Sequence, residues 1–157
     1  MQIHSLSLDD FSDSNYQLIG IHCSLEDYRL AYILNLHLHL DFKRCKFDID
    51  FKNKKQDASF SLYEYFNEAT DNSWYLISNV YKTKIKNNNN ASLFSENETR
   101  IRLISEKKRV DYFLKIEGSF CEESMKQLTE KMNTISQIIT SYTIDTNQLK
   151  SKEVLIF

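Results

Sequence analysis

Four carboxylates lie on predicted strands in positions where acid–base or metal chemistry could be built. Asp48 and Asp50 share one strand face, and Asp111 and Glu117 share a face of a later strand. If they met on one sheet, such groups could bind a divalent ion or transfer protons. The alternative is a solvated outer face, which the sequence favours because lysines alternate with these carboxylates.

Histidines and cysteines supply a second set of reactive groups. His37 and His39 could place two imidazoles on one face of a strand, a spacing that metal sites use. No motif supplies a third ligand, so no metal and no cofactor is predicted. His22 and Cys23 are adjacent and would point to opposite faces of a strand, which favours a buried structural cysteine over a nucleophile pair.

Basic and aromatic residues interleave between positions 42 and 55, a composition that could hold RNA. The members are Phe42, Lys43, Arg44, Lys46, Phe47, Phe51, Lys52, Lys54 and Lys55. Phe47 and Phe51, however, alternate with charged residues and are predicted to be core. Acidic neighbours also dilute the charge, so RNA binding is the second alternative.

The segment 104–112 carries Ile104, Glu106, Val110, Asp111 and Tyr112 at a distinctive spacing. This pattern resembles the signature of the IPExxxVDY family of small bacterial proteins, with serine in place of the family's proline at position 105. Segments 18–32 and 149–157 are also similar to that family. The resemblance thus covers nearly the whole chain, implies one domain over 1–157, and implies no catalytic residue.

Three motif residues, Glu106, Asp111 and Tyr112, are candidates for a functional site. A structural interpretation competes with that one. Glu106 would pair with a lysine or arginine near a turn, Asp111 would accept hydrogen bonds from backbone donors, and Tyr112 would fill the core.

Composition narrows the class of protein. The 157 residues include 41% hydrophobic and 13% aromatic residues, which indicates a folded globule. A net charge of −2 argues against a general nucleic-acid binder, and two glycines leave no Gly-rich phosphate loop. Three cysteines without C-x-x-C spacing predict reduced thiols in the cytoplasm. A signal peptide and a membrane span are not expected.

Apolar periodicity predicts an α+β fold. We expect a two-layer sandwich in which two helices, from Ser24 to Leu36 and from Phe120 to Tyr142, cover one face of a mainly antiparallel sheet of about six strands. The predicted strands are 16–23, 45–51, 59–66, 73–84, 100–104, 110–117 and 154–157. Strands 100–104 and 110–117 are expected to pair as a hairpin, with Tyr112 under the second helix.

Four tyrosines, Tyr63, Tyr65, Tyr75 and Tyr81, are left over from the predicted core and would line the second, exposed face of the sheet. They are the candidate interface. The sequence therefore favours a non-catalytic interaction module. Its partner would be an unknown protein or a second copy of itself, and in the second case it would form a homodimer. The alternative is a small enzyme with a carboxylate-based or metal-dependent site.

Overall fold

The computed structural model describes residues 15–52, 56–85 and 97–157. In chain order its elements are β1 (Tyr16–His22), α1 (Asp27–Leu38), β2 (Lys43–Arg44), β3 (Ile49–Lys52), β4 (Asp57–Phe60), β5 (Leu62–Asn67), β6 (Asn72–Ser78), β7 (Val80–Ile85), β8 (Asn97–Arg102), β9 (Tyr112–Glu117), α2 (Glu122–Asn133) and β10 (Thr140–Ile144). Short 3₁₀ helices occupy Ser105–Lys107, Thr146–Gln148 and Lys152–Leu155.

Six strands form one antiparallel sheet in the order β10-β1-β9-β6-β5-β2. Two small antiparallel pairs, β3–β4 and β7–β8, stand apart from it. The prediction of an α+β sandwich with a six-stranded antiparallel sheet is confirmed.

Both helices cover the same face of the large sheet. Leu30 and Leu34 of α1 and Met125 and Met132 of α2 are buried in one cluster with apolar residues of β1, β6 and β9. Burying these stripes is the main source of helix stability, because helices of this length are marginal alone in water.

The opposite face of the large sheet is covered as well. Leu18 and Phe113 are buried there with Phe60 of β4 and with Leu149 and Leu155 from the C-terminal segment. Residues of the β7–β8 pair and of the segment after it complete this second cluster. Both faces of the sheet are therefore covered over much of their area, while Glu64 and Phe66 of β5 stay exposed on the second face.

The first helix begins later than predicted, at Asp27 instead of Ser24, and ends at Leu38 instead of Leu36. Cys23 donates its backbone N–H to the Asp111 carboxylate at 3.1 Å, and the carbonyl of Leu25 accepts a hydrogen bond from a β9 side chain. These bonds tie the segment before the helix to the sheet.

The second helix ends much earlier than predicted, at Asn133 instead of Tyr142. The Asn133 side chain accepts a hydrogen bond from the backbone N–H of Ser141 and donates one to its carbonyl oxygen. The chain therefore turns back into β10. Ile135 and Ile138 stay buried in this turn, which is why the apolar spacing looked helical.

Other predicted strands differ in extent or pairing. The runs 59–66 and 73–84 are each interrupted, at Ser61 and at Asn79. The predicted 100–104/110–117 hairpin is wrong, since β8 pairs with β7 while β9 lies between β1 and β6. The predicted strand at 154–157 is wrong too, because residues Lys152–Leu155 form a 3₁₀ helix.

Candidate functional site

The segment 104–112, which carries the motif, connects the small β7–β8 pair to β9. It contains the 3₁₀ turn Ser105–Lys107, and Ile104 and Val110 are buried on either side of that turn. The segment curls around Asn79, the fully buried residue between β6 and β7. The motif is therefore organised by a side chain that lies outside it.

Asn79 forms hydrogen bonds with five backbone groups, four in this segment and one in Leu103 just before it. Its side-chain amide donates to the carbonyl oxygens of Lys107 at 3.0 Å and Val110 at 2.8 Å, and its Oδ1 accepts the Ile104 N–H at 2.8 Å. Its own N–H donates to the Asp111 carbonyl, and its carbonyl accepts the Leu103 N–H. Buried backbone groups need such partners, so Asn79 fixes the loop that leads into β9.

Glu106, Asp111 and Tyr112 each form hydrogen bonds with other parts of this chain. The Glu106 carboxylate accepts the Ser151 backbone N–H at 2.8 Å and the Ser151 hydroxyl at 3.0 Å. The Tyr112 hydroxyl donates to the Leu25 carbonyl at 2.7 Å. Asp111 accepts the Cys23 N–H and donates its own N–H to Ile21. Among the residues that the structure describes, Glu106 binds Ser151 and forms no ion pair with a lysine or arginine.

A cleft of about 660 Å³ opens between the start of α1 and the ends of β6 and β7. It is polar, and its charged lining residues are Glu26, Asp27, Arg44, Asp48, Lys82, Arg100 and Asp111. Arg44 contacts both Asp27, at 3.0 Å, and Asp48. Lys82 and Arg100 both lie within 4 Å of Glu98. Most of these charges are therefore already paired within the chain.

The four candidate carboxylates do not meet in one place. Asp48 and Asp50 both accept from the Ser59 hydroxyl, and Asp48 shares the cleft with Asp111. Glu117, by contrast, lies beside Lys115, at 2.5 Å. In the described ranges no group of three or more His, Cys, Asp or Glu side chains could hold a metal ion.

His37 and His39, the candidate metal ligands, are not on a strand. His37 is in the last turn of α1, and His39 follows the helix with a left-handed φ of 54°. Both are exposed. The prediction that they share a strand face is wrong, because the helix continues through the alternating run of leucines.

The cysteines are free thiols. Burial raises the pKa of the Cys23 thiol to about 11, so it is protonated and unreactive at neutral pH. The neighbouring His22 contacts the Tyr142 hydroxyl at 3.0 Å. Cys23 is thus buried as predicted, although β1 ends one residue before it, at His22.

The four candidate tyrosines do not form an exposed surface, and that prediction is wrong. Tyr63 is only 7% exposed and belongs, with Tyr65, to the helix-side cluster. Tyr75 and Tyr81 pack against the opposite cluster. The small strand pairs and the C-terminal segment cover the face that was expected to be bare.

The basic and aromatic stretch also differs from its prediction. Phe47 is 81% exposed and Phe51 is half-exposed, so neither fills the core as the alternation suggested. The chain turns between β2 and β3, which breaks the single strand on which that inference rested. Lys43 contacts Asp41 at 3.1 Å, so part of the positive charge is compensated. Lys54 and Lys55 lie outside the described residues.

An apolar stripe lies on the outside of α1 and was not predicted from the sequence. Tyr28, Tyr32 and Leu36 are 58%, 67% and 59% exposed and recur every four residues. That spacing puts them on one side of the helix, opposite the buried Leu30 and Leu34. We call these three residues the α1 outer stripe. The four-residue spacing could be read from the sequence. The leucines from Leu34 to Leu40 alternate strictly, however, and this alternation left the end of the helix undefined.

Comparison of the chain with protein-family models, curated proteins and solved structures finds no match. The resemblance to the IPExxxVDY family therefore stays a prediction. Among the described residues no helix is long and apolar enough to cross a membrane.

Proposed function

We propose that this chain is a non-catalytic interaction module and that the α1 outer stripe is its contact surface for a second copy. The observation that carries this proposal is the set of three large apolar side chains, each more than half exposed, in line along one helix face. Contiguous apolar surface of this kind marks interaction sites, whereas scattered exposed apolar residues do not.

The stripe is self-complementary. Tyr32 stands midway between Tyr28 and Leu36, and the stripe spans about 12 Å of helix. In an antiparallel pair related by a two-fold axis, Tyr32 meets the partner's Tyr32, while Tyr28 of each copy meets Leu36 of the partner subunit. A closed two-fold contact of this type uses the same patch on both copies.

Charge favours the antiparallel arrangement over the parallel one. Parallel pairing would place the exposed Arg29 of one copy at the same height as the partner's Arg29, and like charges in register are unfavourable.

The stripe is small for a protein interface. Three such side chains expose on the order of 300–400 Å² of apolar area, below the roughly 800 Å² per partner of a standard stable interface. We therefore expect a weak, reversible dimer. The three free cysteines agree with a reducing, cytoplasmic setting.

The two alternatives have less support. A carboxylate enzyme needs convergent acidic groups, whereas Glu117 lies apart from Asp48 and Asp111. RNA binding needs unpaired basic side chains beside the exposed phenylalanines, yet Arg44 is engaged by two aspartates. Binding through an apolar helix face requires neither.

Sedimentation velocity over a wide concentration range tests the proposal. The wild-type chain should shift from monomer towards dimer as concentration rises, and Tyr32→Glu should remain monomeric because it places two like charges at the symmetric contact. Phe66→Glu is the matched control: Phe66 is a half-exposed aromatic that alternates with Tyr65 and so faces away from the helices. A wild-type chain that stays monomeric throughout, or a Tyr32→Glu chain that associates equally well, would contradict the proposal.

A further inference from the structure

We call residues 146–157 the C-terminal strap, and its hydrogen bonds differ in kind from those of the sheet. Its backbone hydrogen bonds are local, as in those from the N–H groups of Val154 to Ser151 and of Ile156 to Glu153. In the described part of the chain, no backbone–backbone hydrogen bond links it to a strand or an α-helix. The hydrogen bonds that hold it on the domain each use the side chain of Lys115 or Glu106.

One attachment is a buried lysine. Lys115 on β9 is only 2% exposed, and its Nζ donates to the Leu155 carbonyl oxygen at 2.6 Å and lies 2.5 Å from Glu117. The ammonium group also lies 4.6 Å from the ring centre of Phe157 and 5.0 Å from that of Tyr16. A buried charge requires such partners, so the strap supplies part of the lysine's solvation.

The aromatic walls around Lys115 belong partly to the sheet and partly to the strap. Tyr75 lies opposite Lys115 on β6, and its ring is 5.1 Å from Phe157 in an edge-to-face contact. Tyr16, on β1, is buried, and in the part of the chain that the structure describes its hydroxyl has no hydrogen-bond partner. Removing the strap would leave a pocket with a lysine at its base and tyrosines at its sides.

The second polar attachment is the motif carboxylate. Glu106 holds Ser151 through two hydrogen bonds. Leu149 and Leu155 of the strap are buried in the cluster on this face of the sheet. Glu106 is largely exposed, so water can replace its bonds when the strap moves.

From this arrangement we infer that residues 146–157 are a hinged cover over a cationic, aromatic-walled pocket centred on Lys115, and that Glu106 is its latch. Segments without shared backbone hydrogen bonds open locally at lower free energy than the core. The strap therefore opens while the sheet stays folded, and each opening exposes the Lys115 amine.

Site-resolved acylation of the full chain tests this inference. A water-soluble N-hydroxysuccinimide ester of acetic acid forms an amide with an accessible lysine and releases N-hydroxysuccinimide, and mass spectrometry reads each position. When opening is fast relative to labelling, the rate at Lys115 follows the population of the open state. We expect slow labelling of Lys115 in the wild-type chain and fast labelling of Lys126, which is exposed on α2.

Two variants weaken the attachment of the strap at different points, Ser151 and Phe157. Glu106→Ala removes the latch, and Phe157→Ala removes the ring over the ammonium group. Each should speed labelling of Lys115 by about fivefold, the effect of losing one or two modest contacts, with Lys126 unchanged. Glu153→Ala is the control, since it removes an exposed carboxylate on the strap that is not a latch.

The inference is overturned if Lys115 labels at the wild-type rate in both Glu106→Ala and Phe157→Ala. It is also overturned if Lys115 labels only under conditions where circular dichroism shows the whole domain unfolded, or if Glu153→Ala speeds labelling as much as Glu106→Ala does.

Discussion

The side-chain amide of Asn79 donates a hydrogen bond to the carbonyl oxygen of Val110 at 2.8 Å, inside the protein. This contact joins the break between β6 and β7 to the segment that enters β9, 31 residues later. Because the run from β6 to β7 is interrupted at this asparagine, the small β7–β8 pair folds over the large sheet and does not extend it.

Replacing Asn79 with alanine should be among the most damaging polar substitutions in the chain. It leaves the Ile104 N–H and the carbonyl groups of Lys107 and Val110 without these bonds, and we expect a loss of about 3 kcal/mol or more in the free energy of unfolding. Asn133→Ala is the control, because Asn133 also binds backbone groups but is exposed, and it should cost about 1 kcal/mol. Urea denaturation measures both, and equal losses would contradict the assigned role of burial.

Substitutions of the motif residues should lower the free energy of unfolding, and by different amounts. Tyr112→Ala should cost on the order of 3 kcal/mol or more, because the ring is buried in the helix-side core. Asp111→Ala should cost roughly 1–2 kcal/mol through loss of the bond to Cys23. Denaturant melts decide the issue. An Asp111→Ala chain that is as stable as wild type yet no longer self-associates would make the motif a functional site.

Lys115 should respond to loss of volume more than to loss of charge. Lys115→Met keeps most of the side-chain volume and should change stability by no more than about 1 kcal/mol, since buried ion pairs often give no net stabilisation. Lys115→Ala leaves a cavity among aromatic rings and should cost about 2 kcal/mol or more. The two are compared by urea denaturation at neutral pH. A methionine variant as unstable as the alanine variant would show that the charge itself is required.

Glu106 gives the strap a pH dependence with a defined sign. Partial burial acts to raise the pKa of this carboxyl, but the hydrogen bonds from Ser151 outweigh it, and the pKa lies below its ordinary value. A depressed folded-state pKa stabilises the folded form above the ordinary pKa of a glutamate, and that contribution is lost as pH falls through the lowered value. The amide proton shift of Ser151, followed by NMR, should therefore titrate with a midpoint below about 4.3. A midpoint at or above that value would contradict the latch geometry.

The large features of this fold could be predicted because they follow from local apolar patterns. The stripes that contain Leu30 and Leu34, and Met125 and Met132, are buried on one sheet face as their spacing indicates. The end of α2 could not be predicted, because it depends on the Asn133 side chain binding a backbone that returns eight residues later. The pairing of β9 with β1 and β6 is likewise non-local.

The candidate surfaces were predicted less well, for a related reason. Whether Tyr63 or Tyr75 is exposed depends on what covers each face of the sheet, and the covering pieces come from distant parts of the chain. The outer stripe of α1 could have been found from the spacing of Tyr28, Tyr32 and Leu36 once the helix had been placed through Leu38.

An NMR dilution series tests the central claim, self-association through α1, most directly. Backbone amide signals of the wild-type chain are followed from high to low concentration, and the shift change at each residue is mapped along the chain. The account predicts that the changes cluster at Tyr28, Tyr32 and Leu36, with signals of β10 and of the strap unmoved. Signals that are independent of concentration, or changes centred on another surface, would contradict it.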